Sequence, residues 1–175
     1  MRVRYRCIAR VAKPHGRKGE VVTVPVHGLP SLVRAGLEVA VVPPALKGSR
    51  WHTVTSATSD DRSGTLTALS GVSELGDAEA LVGTYLLARE QDLPSDLALH
   101  DRERLVGREV VDVRGGRSGV ISEVLSGPAN DVWVLRDKDL EVLVPVVDEV
   151  VARVPEKGAI PVNIPAGLEW ERCRP

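Results

Sequence analysis

The chain has 175 residues, enough for one ordinary domain or two small ones that each bury a core. Hydrophobic residues make up 43%, yet there is no phenylalanine and one methionine, so short valine- and leucine-rich runs set among 16 glycines and 12 prolines favour β-structure over helical bundles. The net charge of −1 hides a split, because residues 1–90 hold twelve Lys and Arg against eight Asp and Glu while residues 91–175 hold eleven against sixteen. Seven of the twelve cations precede Glu20, which concentrates a positive field where a polyanion can meet it, and the acidic half suits a basic protein. Aromatic residues are Tyr5, Trp51, Tyr85, Trp133 and Trp170, too few to suggest nucleic-acid recognition by rows of stacked rings. Cys7 and Cys173 stand far apart with no ligand or redox spacing, as in a reducing cytosol. No stretch approaches the roughly 18 apolar residues of a membrane span, and the basic first residues lead into no cleavage pattern. A soluble, cytoplasmic monomer without a membrane partner is the expectation.

In chain order, residues 4–12 read as a strand and residues 20–26 as its return, with Val21, Val22, Val24 and Val26 supplying β-branched packing. Between them lies Lys13-Pro14-His15-Gly16-Arg17-Lys18-Gly19-Glu20, with no large apolar side chain for a core. Pro14 fixes φ, Gly16 and Gly19 permit positive φ, and three cations and a histidine surround them. The stretch reads as a shaped basic loop with unpaired backbone N–H groups suited to an anion, or as a solubilising hairpin connection. Residues 28–36 leave room for at most one helical turn. A strand at 38–42 stops at Pro43-Pro44, a second basic turn covers 47–50, and strands follow at 51–56 and 65–69 around a turn at 60–64. Asp77 can cap and Gly83 can end a short helix over 76–83, and a strand covers 84–88. Residues 1–90 are thus one small β-barrel with a short helix near its end, and 91–100 are a linker.

The second domain is expected over 101–175 as another small barrel with a tail. Strands at 108–113 and 118–125 flank Gly115-Gly116, a tight turn of the primed type. In residues 127–131, Asn130 and Asp131 can bond their own backbone and launch a strand at 132–136. A charged turn at 137–139 leads to a strand at 141–145, the run 146–154 can continue it with a bend, and 159–164 is the last strand. A short helical turn around 167–170 is expected in the tail. The fold class is all-β.

Chemistry is sparse. No phosphate-binding loop, dinucleotide fingerprint, zincin helix or metal-ligand spacing is present, and His15, His27, His52 and His100 are isolated in sequence. A triad assembled in space stays open, although no serine sits on a strand-to-helix elbow and Asp148-Glu149 reads as a solvated rim pair. No enzyme activity and no cofactor are expected.

Residues 9–21, built around the basic loop, resemble the N-terminal signature of the RimM family of ribosome maturation factors. Residues 78–83 resemble its short helix, and residues 127–132, 141–145 and 164–168 resemble its C-terminal barrel of the photoreaction-centre type. The resemblance implies an assembly factor that binds the immature small ribosomal subunit near its head and assists rRNA processing. It would contact small-subunit ribosomal protein nineteen and small-subunit rRNA or its precursor. Lys13, Pro14, His15, Gly16, Arg17, Lys18 and Gly19 are the candidates for ribosome or RNA binding, and Leu97, Leu99, His100, Ala129, Asn130 and Asp131 for the ribosomal protein. The chain departs from the family in having residues 97–101 where an aromatic pair is common, Arg17 in place of an apolar residue, and Val146 in place of phenylalanine. The leucines of 97–101 can still offer an apolar anchor. A competing reading is a non-ribosomal interaction module built from two barrels, and a hydrolase or transferase with a spatially assembled site ranks third.

Overall fold

Period-two burial along short β-branched runs builds two sheets, the first closed into a barrel and the second a six-stranded sheet, each over its own valine-rich core. The computed structural model describes residues 3–44, 48–60, 64–127 and 129–173. They fall into two compact units, Met1–Ser95 and Asp96–Pro175.

The first unit contains β1 (Tyr5–His15), β2 (Glu20–Pro25), β3 (Glu38–Val42), β4 (Trp51–Asp60), β5 (Gly64–Leu69), α1 (Leu75–Leu81) and β6 (Tyr85–Arg89). The strands close in the order β1-β2-β5-β4-β3-β6, every pair antiparallel, so no long edge is left exposed. Ile8, Val11, Val21, Val39, Val54 and Leu86 fill the interior at 0% exposure, each worth about 1.5 to 3 kcal/mol of transfer free energy. Three buried threonines on β2 and β5 satisfy one another: Thr23 Oγ1 donates to the Thr65 carbonyl at 3.2 Å and lies 3.0 Å from Thr67 Oγ1. Residues 28–36 form no helix, and Leu29, Leu32 and Val33 drop into the core from irregular chain. Helix α1 lays Ala78 and Leu81 inward, towards β1 and β2. Asp77 does not cap it as expected. Glu74 holds the N-cap position without a side-chain bond, and the Asp77 carboxylate accepts from the Ser73 amide at 3.3 Å. Gly83 at φ +84° follows its end. Lys47 of the second basic turn, Asp61, Arg62 and Ser63 of the next turn, and Pro128 lie outside the described residues.

A 3-10 turn at Glu90–Asp92 follows β6. The second unit contains α2 (Leu97–His100), α3 (Arg102–Leu105), β7 (Glu109–Asp112), β8 (Ser118–Leu125), β9 (Val132–Asp137), β10 (Leu140–Pro145), β11 (Ile160–Val162) and β12 (Glu171–Arg172). Its sheet runs β11-β7-β8-β9-β10-β12, with β11 parallel to β7 and the other pairs antiparallel. Trp133 at 0% exposure is the largest core side chain, surrounded by Leu105, Ile121, Leu135 and Ile160.

Four expectations change here. Residues 146–154 are not a strand: the amides of Val150 and Val151 both donate to the Val147 carbonyl at 2.9 and 2.8 Å, a single turn that buries Val146, Val150 and Val151. That spacing is helical, not alternating, which is why a continuous valine run misleads. The tail forms no helical turn but ends in β12, pairing Glu171 and Arg172 with Glu141 and Leu140. The Gly115-Gly116 connection is wider than a primed two-residue turn, because the buried Asp112 carboxylate accepts from the amides of Arg114 at 3.1 Å and Gly115 at 2.9 Å. Finally, residues 97–105 supply two short helices where none was expected.

Candidate functional site

The basic stretch of the first unit is half strand and half turn. β1 continues through Lys13, Pro14 and His15, which pair with Val22, Val21 and Glu20 after a register shift between Val11 and Lys13. The expectation of an exposed loop with unpaired amides therefore shrinks to Gly16-Arg17-Lys18-Gly19. Pro14 fits a strand here because, among the described residues, the pairing of β1 with β6 stops at Arg10, so its missing N–H faces no ladder on that side. Gly16 and Gly19 take φ of +65° and +78°. Gly19 is buried, and a Cβ there would sit 2.6 Å from the Val72 carbonyl oxygen, so the tip rests on the chain that follows β5. Lys13, His15, Arg17 and Lys18 are all exposed around this fixed turn. Packing and glycine hold the form, and the cations carry charge at its surface.

The second group comes together in the other unit. His100, at the end of α2, donates from Nδ1 to Asp131 Oδ2 at 2.7 Å, while its Nε2 lies 3.9 Å from Asp96 Oδ2. Trp133 Nε1 donates to the Leu99 carbonyl at 3.3 Å, and Leu99 itself packs against the core cluster. Arg102 Nη2 donates to Ser126 Oγ at 3.3 Å, and the Val146 amide donates to the Asp131 carbonyl at 2.8 Å. The His100, Trp133 and Arg102 bonds tie α2 and α3 to β9 and the β8–β9 connection. The Asp131 carboxylate thus holds His100 instead of its own loop, and Leu99 is committed to the core, not free as an anchor. Ala129 and Asn130 remain exposed, and Leu97 is half-buried. The corner is polar and carries two carboxylates around one histidine. Among the described residues no group of three or more His, Cys, Asp or Glu could hold a metal ion.

Sequence reasoning missed the organising role of Asp112, whose carboxylate also accepts from the Ile164 amide at 3.3 Å, and the clamp from Trp133 to Leu99, both of which join residues distant in the chain. It also missed a cluster on the outer wall of the first barrel. There the Tyr5 and Trp51 ring centroids lie 5.7 Å apart and the Arg89 guanidinium sits 5.3 Å over the Trp51 ring. A hydrogen bond with the Tyr5 hydroxyl, then the Glu38 carboxylate at 2.7 Å, hold Arg89 above its ordinary pKa. The signal available was parity, since Tyr85 and Arg89 share the face of β6 opposite to its buried Leu86 and Ala88.

Two family models match the chain, the RimM N-terminal domain over residues 6–93 and the RimM PRC barrel domain over residues 102–168. The chain belongs to the RimM family. A relative from Salinispora arenicola named ribosome maturation factor RimM is 34% identical over 175 residues, covering 92% of this chain and 97% of its own. Another of that name, from Caldanaerobacter subterraneus, is 28% identical over 160 residues, covering 89% and 93%. A crystal structure of a putative 16S ribosomal RNA processing protein RimM from Pseudomonas aeruginosa covers 93% of this chain and 99% of its own at 20% identity. Its TM-score is 0.42, so the family membership rests on sequence. The basic hairpin tip lies inside the RimM N-terminal match and residues 129–131 inside the PRC match, whereas α2 falls between the two matched ranges.

Proposed function

We propose that this RimM family member is a cytoplasmic, non-catalytic assembly factor that binds the immature small ribosomal subunit near its head and assists its maturation and rRNA processing. The observation that carries the reading is the ordered match of both RimM domains across residues 6–168. Charge supports a division of labour. The hairpin tip, with Lys13, His15, Arg17 and Lys18 exposed about a fixed turn, is suited to the phosphates of rRNA. The corner formed by Asp96, His100, Asn130 and Asp131 is suited to a basic partner, small-subunit ribosomal protein nineteen. At such surfaces charge supplies encounter rate and orientation more than raw affinity.

Sedimentation of the full chain with fractionated ribosomal particles tests the reading. Recovery with free small subunits and their precursors, and not with mature ribosomes, is the expected result. Equal recovery in both pools, or in neither at low salt, contradicts it.

A further inference from the structure

Three of the five aromatic residues, scattered in sequence, gather on one outer wall of the first barrel. Along β6 the side chains of Leu86 and Ala88 are buried at 0% exposure, which turns Tyr85, Leu87 and Arg89 outward. Cross-strand register then builds the wall. Tyr85 stands opposite Arg10 of β1 and Val42 of β3, Leu87 opposite Cys7 and Ala40, Ala40 opposite Trp51 of β4, and Tyr5 opposite Arg89. Tyr5 is 44% exposed and Tyr85 41%, and the two are separated by about 13 Å along the strands. One end of the wall is locked, because Arg89 bonds Tyr5, pairs with Glu38 and lies over Trp51. Tyr5 is therefore held by its neighbours while its ring stays partly exposed. At the other end the exposed Arg10 stands beside Tyr85.

We propose that this wall is a stacking platform for unpaired RNA, with Tyr5 and Tyr85 taking bases on their faces and Arg10, beside Tyr85, meeting the phosphate backbone. It deepens the proposed function and rests on the reading that the first unit meets RNA. On the wall Arg89 is balanced by Glu38 at 2.7 Å and Asp92 at 3.8 Å, which leaves Arg10 as its cation beside Tyr85, on a unit whose twelve cations and nine carboxylates over residues 1–95 complement a polyanion. An acidic protein is the weaker fit, since the tyrosine rings lie on an open sheet face and not in the desolvated pockets that protein anchors fill. Flat rings beside arginine suit any base in a single strand, whereas a duplex hides its base faces from them.

Fluorescence anisotropy of the full chain with a labelled unpaired RNA of about 12 nucleotides, and with the same strand annealed into a duplex, tests the platform. Tyr5→Leu and Tyr85→Leu are each expected to weaken binding of unpaired RNA about tenfold with the salt slope unchanged, and to leave duplex binding alone. Tyr85→Phe keeps the ring and retains affinity. Arg10→Gln instead flattens the log-log salt slope by about 0.7. Native affinity in both leucine variants overturns the platform, as does an equal loss in Tyr85→Phe and Tyr85→Leu, or no measurable RNA binding by the native chain. If small-subunit sedimentation persists in those cases, the proposed function stands without the platform. Tyrosine-dependent RNA binding without any small-subunit sedimentation supports the platform and sinks the proposed function. Loss of subunit binding in the leucine variants with RNA affinity intact assigns the wall to a protein and overturns the inference.

Discussion

Gly16 and Gly19 share a positive φ but not an environment, and the difference is measurable. A Cβ at Gly16 meets nothing within 4 Å, so Gly16→Ala carries the left-handed backbone penalty alone, about 1 to 2 kcal/mol. At Gly19 the added carbon lies 2.6 Å from one backbone oxygen and 2.8 Å from the Ser73 nitrogen, neither of which belongs to a flexible side chain. Denaturant unfolding should therefore show Gly19→Ala as clearly the more damaging variant. Equal losses would mean that the tip does not rest on residues 72–73. In the second unit, Asp131→Asn removes the charged acceptor of His100 Nδ1, a half-buried bond worth about 1.5 to 3 kcal/mol at most. Amide exchange in residues 97–100 should quicken in that variant while β8 and β9 keep their protection, and unchanged exchange would show that α2 is held by Leu99 alone. Cys7 belongs to this scale too. Burial pushes its thiol pKa up, so at neutral pH it stays protonated and should alkylate slowly, faster only as pH rises above the ordinary thiol range.

Among the elements, Trp133 is the one whose loss should cost most. Its ring is fully buried in the core of the second unit and its indole N–H anchors α2 through the Leu99 carbonyl. Trp133→Ala should cost about 3 to 5 kcal/mol in unfolding free energy, whereas a loss under about 1 kcal/mol would contradict its central placement. What sequence revealed of the elements follows the range of the interactions that make them. β3 at Glu38–Val42 and β8 at Ser118–Leu125 fall where local β-propensity and punctuation by proline or glycine put them. The extension of β1 through Pro14 was hidden because it depends on which flank of the strand has a partner. β11 was legible as a strand but not as parallel to β7, a pairing across about 50 residues that leaves no local trace. β12 pairs with β10 over a similar lack of local signal, helped by Trp170, over whose ring the Arg117 guanidinium lies at 5.0 Å. Of the candidate sites, the cations of the hairpin tip could be read from composition, but the bond between His100 and Asp131 joins residues 31 apart and only the fold brings them together.

Across the whole molecule the charge split holds for the two compact units, whose division falls within the linker expected at 91–100. Residues 1–95 hold twelve cations and nine carboxylates, and residues 96–175 hold eleven and fifteen, so the units carry +3 and −4. A basic barrel and an acidic sheet within one RimM chain fit the proposed pairing of rRNA with the first and a basic ribosomal protein with the second. The rRNA half of that pairing makes salt dependence informative. Lys13→Ala combined with Lys18→Ala should flatten the log-log salt dependence of subunit binding by about 0.7 to 0.9 for each phosphate that is no longer neutralised, without lowering the melting temperature. An unchanged slope would remove the tip from the interface. The most direct measurement is a density map of the full chain bound to a free small-subunit precursor. Lys13 and the Gly16-Arg17-Lys18-Gly19 tip are expected against rRNA phosphates near the head of the subunit, with the Asp131 corner on a basic ribosomal protein. A tip standing in solvent, with the chain attached to the particle through another face, would contradict it.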